Sequence, residues 1–436
     1  MANAAVPLLG LVDTAVIGNS GSVEALGAIA LGALVFNFVY WSFGFLRMGT
    51  TGFTAQASGA EDTAEVRATL GRALLIAVVV GGLLLLLQRP IIVVALAILG
   101  AGAEVEELTR RYFEVRIWGA PASLGMFALL GTFVGLGRTK SVLVTQLVLN
   151  GLNITLDVLF AGVLGWGVEG IALGTAIAEW TALFLALGLV YRLLQRDRMD
   201  DEPFWSWNRI GDPARVRRAV TANADILIRT LFLMLGFAWF TDQGARFGDA
   251  VLAANHVLLQ LVSLSAYLLD GFAHATEIHV GRAVGAGRRG AFDQAVRSAT
   301  ELAAMTGVVL GGGVLLVGPT AVRLLTDLPE VNALAIALLP LAAVYVTLSF
   351  AAFQLDGIFI GATATRDMRN ASVVSFGAFL GLTALLVPAW GNRGLWWAFI
   401  AYVVIRAATL GVRYGPLRRS ISGGQAAARP EGAPSG

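Results

Sequence analysis

Gly131-Thr-Phe-Val-Gly-Leu-Gly-Arg-Thr-Lys140 and Gly357-Ile-Phe-Ile-Gly-Ala-Thr-Ala-Thr-Arg366 are two versions of one segment, 226 positions apart. The same offset places Ser58-Gly-Ala60 on Val284-Gly-Ala286, and Trp166-Gly-Val-Glu-Gly170 matches Trp390-Gly-Asn-Arg-Gly394 at an offset of 224. Each glycine-rich match is weak by itself. One offset held across most of a half-chain nevertheless indicates an internal repeat, and we expect two equivalent halves.

The composition identifies the solvent in which these halves fold. Of the 436 residues, 57% are hydrophobic and only 14% are charged, and the mean hydropathy is +0.74. Soluble domains carry about 25% charged residues, so this is an integral membrane protein. The absence of cysteine excludes disulfides, thiol catalysis and thiolate metal sites. The basic residues are arginines apart from Lys140, a bias of composition that predicts no nucleic-acid partner.

The lengths of the apolar runs define the architecture. About 20 apolar residues are needed to cross roughly 30 Å of hydrocarbon as a helix. The sequence predicts an all-α integral membrane protein with twelve transmembrane helices, at 2–18, 26–48, 69–88, 111–136, 141–161, 168–193, 217–240, 250–275, 295–317, 337–362, 370–388 and 395–414. The first run is short, and we expect the native first helix to begin earlier.

The distribution of basic residues predicts the orientation. Most of the 31 basic residues fall in one set of loops, whereas Arg89, Arg110, Arg111, Arg246, Arg323 and Arg393 fall in the opposite set. By the positive-inside rule both termini are cytoplasmic, and we expect a multi-pass protein of a bacterial inner (plasma) membrane.

The domain boundaries follow from the same pattern. We predict an N-terminal six-helix lobe at 1–191, a cytoplasmic linker at 192–218, a C-terminal six-helix lobe at 219–415 and a disordered cytoplasmic tail at 416–436. Both halves enter the membrane from one side, so they form a parallel pseudo-two-fold repeat, as in many secondary transporters.

Polar residues inside the predicted spans are the candidate functional groups. Asp13 lies in an apolar run, where a carboxylate costs roughly 2.5–3.5 kcal/mol on insertion scales and is rarely kept without a use. On the fifth span Asn150, Asn153 and Asp157 share one helical face by their spacing of three and four, and Thr175 on the sixth span is placed to face them. Such a group can hold a proton, a cation or water. The alternative is that the amides only join helices by hydrogen bonding.

The second half has its own buried charges. Asp225 and Arg229 are spaced i, i+4, and we expect them to form a structural ion pair. Asp270 and Asp356 each precede a glycine, and either could line a cavity or balance the charge of Arg229. The run Asp200-Asp201-Glu202 lies in the arginine-rich linker, where we expect it to be solvated.

The sequence contains no enzyme signature. It has no phosphate-binding Gly-Lys-Ser/Thr loop, so ATP is not the direct energy source. It has no paired aspartate-rich motif that would hold a magnesium diphosphate, and its histidines lack metal-ligand spacing. We therefore predict no metal site and no cofactor other than a coupling proton or sodium ion.

Four further motifs carry a resemblance. Pro7-Leu-Leu-Gly-Leu-Val-Asp13-Thr-Ala-Val-Ile-Gly18 resembles the first-span signature of the multidrug and toxic compound extrusion (MATE) family. Segments Trp41–Gly52, Tyr267–Ala273 and Leu355–Ala362 are similar to its DinF-like branch. The resemblance runs from about residue 2 to residue 415.

The resemblance implies a two-lobe antiporter that exports organic cations in exchange for inward protons or sodium. We expect it to be a monomer. The resemblance also implies that Asp13, Asn153, Asp157 and Thr175 carry coupling. At the repeat offsets Asp13 corresponds to Trp239 and Asp157 to Gly381, so neither acid has a partner in the other half, and we expect coupling to be confined to residues 1–191. A sister branch uses an acid on the tenth span, where Asp356 roughly falls, and a glutamate on the seventh span that has no match here. Two alternatives remain: a flippase for lipid-linked precursors from the same superfamily, and a membrane scaffold or enzyme without transport.

Overall fold

The structure, a computed structural model, describes residues 22–421, and every regular element in that range is helical. The helices, in chain order, are α1 (Val23–Phe43), α2 (Phe45–Gly59), α3 (Thr63–Leu86), α4 (Gln88–Leu99), α5 (Ala103–Arg116), α6 (Ala120–Gly135), α7 (Thr139–Asp157), α8 (Gly167–Arg196), α9 (Trp207–Ile210), α10 (Pro213–Ala245), α11 (Asp249–Gly285), α12 (Arg289–Leu325), α13 (Pro329–Gly361) and α14 (Thr365–Ser420). A 3₁₀ turn at Ile117–Gly119 joins α5 to α6, and a π-helical turn at Val158–Val163 extends α7.

The helices confirm the predicted all-α membrane fold. Within residues 22–421, ten continuous helical stretches are long and apolar enough to cross a membrane. The last of them, α14, includes two of the predicted spans, because Gly391 at φ 54° breaks the helix between 370–388 and 395–414. The predicted span 2–18, which contains Asp13, lies outside the described residues.

Short polar side chains mark where several helices begin. The Ser22 hydroxyl accepts from the Ala25 backbone amide at 3.2 Å, and the Asp62 carboxylate accepts from the Glu65 amide at 2.9 Å. Asp212 accepts in the same way from Arg215 at 2.9 Å. Each cap satisfies an amide that has no partner within the helix, which fixes the starts of α1, α3 and α10.

The backbone reproduces the internal repeat at its turns. Glu61 (φ 57°) and Gly287 (φ 64°) are 226 positions apart, and so are Gly137 (φ 66°) and Thr363 (φ 53°). The closing hydrogen bonds also correspond, because Arg138 N–H donates to Phe133 O and Ala364 N–H donates to Phe359 O, both at a donor–acceptor distance of 2.9 Å or less. Positive φ is unfavourable for a side chain with a Cβ. Glu61 and Thr363 therefore keep a glycine-type turn where their repeat partner is glycine.

The chain divides into two compact units. The first comprises 1–54 and 62–220, and the second comprises 55–61 and 221–436. In the first unit, Phe36 of α1 stacks on Phe113 of α5 with ring centroids 5.1 Å apart. In the second, Phe399 of α14 packs on Tyr345 of α13 at 4.5 Å and on Phe240 of α10 at 4.6 Å. Aromatic contacts of this kind add to the close packing that joins the helices of each unit.

A reciprocal glycine crossing lies inside the second unit. A Cβ added to Gly59 would lie 2.1 Å from the Arg282 carbonyl oxygen, and one added to Gly285 would lie 1.9 Å from the Gln56 carbonyl oxygen. Gly59 and Gly285 are repeat partners at the offset of 226, as are Gln56 and Arg282. The two contacts are thus equivalent, and a methyl group at either glycine would separate α2 from α11.

The residues of the predicted linker pack onto α3 in the first unit. The Arg67 guanidinium, 1% exposed, donates to the Asp200 carboxylate at 2.5 Å and to the Phe204 carbonyl at 3.2 Å. Arg209 donates to Glu202 at 2.6 Å and to Asp62 at 3.0 Å. The expectation of a solvated run was therefore wrong for Asp200 and Glu202, because basic residues of α3 and of the linker itself supply their counter-charges.

Asp200 should hold this segment in place. Hydrogen bonding from Arg67 lowers the pKa of Asp200 from 3.8 to about 2, so the ionised carboxylate stabilises the folded segment, by an amount that solvent screening limits. Since the folded pKa is the lower one, this stabilisation is fully present above about pH 4 and is lost as the pH falls through about 2. We expect Asp200→Asn to speed hydrogen exchange in residues 198–209 by about tenfold at neutral pH, measured by mass spectrometry. Asp201→Asn, at an exposed neighbour, should leave exchange unchanged; equal exchange in the two variants would contradict the assignment.

Candidate functional site

The polar face predicted on the fifth span lies on α7. Asn153 and Asp157 are both 0% exposed, whereas Asn150 is only half-buried. The helix has polar groups at one face and exposed leucine and valine side chains such as Leu147 and Val144 at another. The spacing seen in the sequence thus places Asn153 and Asp157 in the interior of the first unit.

Thr175 on α8 contacts this face. The Asn153 amide nitrogen lies 2.9 Å from the Thr175 hydroxyl oxygen, and that hydroxyl lies 2.9 Å from the Ile171 carbonyl. Because the single hydroxyl proton of Thr175 is used on Ile171, Thr175 must accept from the amide of Asn153. This fixes the orientation of the amide. The buried Asn153 carbonyl oxygen has no hydrogen-bond donor among the described residues, so it is available to a cation or a donor.

Asp157 lies one turn beyond Asn153, at the end of the regular helix. The chain continues from there as the π-helical turn, closed by a hydrogen bond from Leu164 N–H to Leu159 O at 2.9 Å. The Asp157 carboxylate lies against Gly174 on α8, where an added Cβ would be 2.7 Å from Asp157 Oδ1. π-turns often occur at functional sites. Here the missing side chain at Gly174 leaves room for the carboxylate against α8, at the residue that precedes Thr175.

Gly174→Ala should disturb this site directly. The new methyl group would displace the Asp157 carboxylate, so we expect at least a tenfold loss of ion-driven transport in proteoliposomes. The matched control is Gly188→Ala on the same helix, where nothing lies within 4 Å of an added Cβ; it should transport normally. Equal transport by the two variants would mean that the position of Asp157 is unimportant.

A second buried charged group in the first unit was missed in the sequence. Glu179 on α8 and Arg116 on α5 are 6% and 8% exposed, with 3.9 Å between their charged atoms. Arg116 also donates to the Tyr112 hydroxyl and lies 4.8 Å from the Phe36 ring centroid. Thr175 and Glu179 are spaced i, i+4 and so share a face of α8. A lone glutamate inside an apolar span was the signal, but its partner is 63 residues away.

We expect Glu179→Gln to be strongly destabilising. Removing one partner of a buried ion pair leaves an uncompensated charge and costs about 3–5 kcal/mol, so the thermal unfolding midpoint in detergent should fall by several degrees. Glu107→Gln is the control, because Glu107 pairs with Arg111 at 3.0 Å with both side chains 55% exposed, and such pairs contribute about 0–1 kcal/mol. Equal midpoints for the two variants would show that the buried pair is not structural.

In the second unit the predicted ion pair between Asp225 and Arg229 is wrong. Asp225 pairs with Arg369 at 2.7 Å and accepts from the Thr365 hydroxyl at 3.2 Å. Arg229 instead donates to Asp356 on α13. Both groups are on α10 at i, i+4, but tertiary partners on α13 and α14 compete successfully for them.

The two remaining acids of the second unit have different surroundings. Asp356 is 4% exposed and has a second cation near it, Arg406, at 3.6 Å. Asp270 is half-buried and lies 3.3 Å from the His274 ring nitrogen one turn along α11. With two guanidinium groups beside it, Asp356 is poorly suited to bind a further cation. Its sequence-based role as a balance for Arg229 agrees with this geometry.

An all-α membrane protein built from two repeats has an architecture that is common among membrane transporters. The chain belongs to the MatE family, whose family model matches residues 1–159 and again residues 226–384. One family pattern thus fits both halves of the chain. The members are transporters and not enzymes, so this chain is a multi-pass membrane transporter for the efflux of multiple drugs or toxic compounds.

Individual relatives agree with this assignment. The chain is 39% identical to DNA damage-inducible protein F of Escherichia coli (strain K12), over 94% of this chain and 88% of that protein. It is 30% identical to the probable multidrug resistance protein NorM of Deinococcus radiodurans, over 93% and 90% of the two chains. A crystal structure of MATE in the bent conformation has the same fold, with a TM-score of 0.84 at 20% identity over 97% of this chain and 94% of that one. The predicted family and fold are confirmed.

Proposed function

We propose that this transporter is a proton-coupled antiporter that exports amphipathic, cationic organic compounds across the inner membrane of a bacterium, with both termini in the cytoplasm. The orientation rests on the positive-inside distribution of arginine. Coupling is assigned to the first unit, at Asp157, Asn153 and Thr175, with Asp13 added on the family resemblance. The observation that carries the proposal is the fixed amide of Asn153, whose free carbonyl oxygen is one helical turn from the buried carboxylate of Asp157.

The chemistry of coupling follows from charge in a region of low dielectric. An ionised Asp157 attracts a cationic substrate, and its interaction is much stronger inside the protein than in water. A proton that enters from outside neutralises the carboxylate and removes this attraction, so the substrate leaves outward. Thermodynamic linkage requires the converse as well, so bound substrate disfavours protonation by the same factor. Asn153 and Thr175 supply neutral dipoles that remain in place while the charge changes.

Sodium is the alternative coupling ion at the same residues. The Asn153 carbonyl and the Asp157 carboxylate supply oxygen atoms. These atoms can coordinate a sodium ion, and they can equally accept a hydrogen bond from a proton donor. The two ions make different predictions for an imposed gradient. If transport is coupled to protons, a proton gradient alone should drive it, and a sodium gradient at equal pH should not.

Asp157→Asn tests the assignment. We expect at least a hundredfold loss of dye efflux driven by a pH gradient in proteoliposomes, while dye binding by the purified protein is retained within about tenfold, because only the titrating charge is removed. The matched control is Asp197→Asn, at an exposed aspartate 2.8 Å from Arg138, which should transport like wild type. Asp13→Asn should behave like Asp157→Asn.

Full pH-driven efflux by Asp157→Asn would overturn the site assignment. Efflux driven by sodium and not by protons would overturn the choice of ion and leave the site in place. In the first unit the flippase alternative gains no support from the buried charges, because Arg116 faces Glu179 there and lipid-linked precursors would favour a strongly cationic interior.

A further inference from the structure

Three buried charges meet in the second unit. Arg229 of α10 and Arg406 of α14 both point a terminal guanidinium nitrogen at the same carboxylate oxygen of Asp356 on α13. Arg229 forms a hydrogen bond to it, and Arg406 lies 3.6 Å away. The three residues are 8%, 7% and 4% exposed. They form a compact group, which we call the arginine cluster.

The arginine cluster has one positive charge in excess. Two guanidinium groups, which are always protonated, face one carboxylate. Three other carboxylates of the second unit pair elsewhere, Asp225 with Arg369, Asp293 with Arg418 and Asp367 with Arg413. An uncompensated charge is costly in a protein interior. An anion at this position would remove that cost.

Both arginines also have unused donors. The Nε–H groups of Arg229 and Arg406 are fully buried and have no acceptor among the described residues. The arginine cluster therefore presents two buried N–H donors beside a surplus positive charge.

We propose that Arg229 and Arg406 form an anion subsite that binds the carboxylate of an amphipathic substrate. The guanidinium group matches a carboxylate in shape and charge and forms its strongest hydrogen bonds with one. This inference rests on the proposed function and extends it: the preferred substrates are zwitterions that carry an acidic group as well as a cationic one. A free inorganic anion such as chloride offers the same charge, and the experiment separates these two sources.

Rhodamine 110 and rhodamine 123 are a matched pair of probes. Both carry the same cationic ring system, but rhodamine 110 has a free carboxylate where rhodamine 123 has a methyl ester. Fluorescence anisotropy of the purified full-length protein in gluconate buffer gives the Kd of each dye. We expect wild type to bind rhodamine 110 about tenfold more tightly, or better, which corresponds to the contribution of one or two charged hydrogen bonds.

Arg406→Gln should abolish this preference. This variant should raise the Kd of rhodamine 110 by about tenfold and change the Kd of rhodamine 123 by less than about twofold. Arg413→Gln is the control on the same helix, since Arg413 is an exposed arginine paired with Asp367 at 2.9 Å, and it should bind both dyes like wild type. If Arg406→Gln does not fold, Arg406→Lys keeps the charge but loses the forked donor geometry, and it should still reduce the preference for rhodamine 110.

Three results would overturn the proposal. One is equal binding of the two dyes by wild type. Another is an equal loss of affinity for both dyes in Arg406→Gln, or in Arg406→Lys if only that variant folds. The third is that chloride raises the thermal stability of wild type but not of Arg406→Gln, while wild type shows no preference between the dyes. The anion bound at the arginine cluster would then be inorganic. A failure of the proposed function has a different signature: wild-type proteoliposomes would not move rhodamine 123 under a pH gradient, whatever the anisotropy values.

Discussion

Hydrocarbon forms no hydrogen bonds, and the arrangement of buried groups in this transporter follows from that property of its solvent. Backbone groups are satisfied within long helices and at capped ends. Several buried hydroxyls are satisfied locally too: those of Thr132, Thr145 and Thr383 each donate to a carbonyl one turn earlier on the same helix. Several buried carboxylates and guanidinium groups instead pair across helices, as Arg116 does with Glu179 and Arg229 with Asp356. These charged residues join helices within each unit.

This difference explains what the sequence could predict. Helix positions depend on runs of apolar residues, which are local, and the predicted spans within residues 22–421 coincide with observed helices. The shared face of Asn153 and Asp157 depends on spacing along one helix and was also accessible. The hydrogen bond between Asn153 and Thr175 agrees with the expected proximity of α7 and α8, although their role in coupling stays a prediction.

Ion pairs between different helices could not be predicted from the spacing of residues along the sequence. Asp225 and Arg229 have the separation of a helical ion pair, yet each finds a partner on another helix, Arg369 and Asp356 respectively. The pairing of Arg116 with Glu179 spans 63 residues and has no local signature. An i, i+4 pair contributes only about 0.2–0.5 kcal/mol, so a buried partner with better geometry readily replaces it. Local rules therefore fail where the interior is most highly charged.

The repeat shows how these charges are distributed. At the offset of 226, buried Arg116 corresponds to Ala342, which is 0% exposed, and Asp356 corresponds to Leu130, which is 8% exposed. At the offset of 224, Arg406 corresponds to Ala182 and Glu179 to Val403, 0% and 3% exposed. Each position is buried in both halves but charged in one.

The turns, by contrast, keep the same backbone geometry in both halves, even where a side chain makes positive φ unfavourable. The turns of both halves close with the same backbone hydrogen bonds, whereas a buried charge needs only a partner within its own unit. The two units can therefore share one scaffold and differ in chemistry. The proposed coupling group, a carboxylate, an amide and a hydroxyl, lies in the first unit, and the proposed anion subsite, with two guanidinium groups, lies in the second.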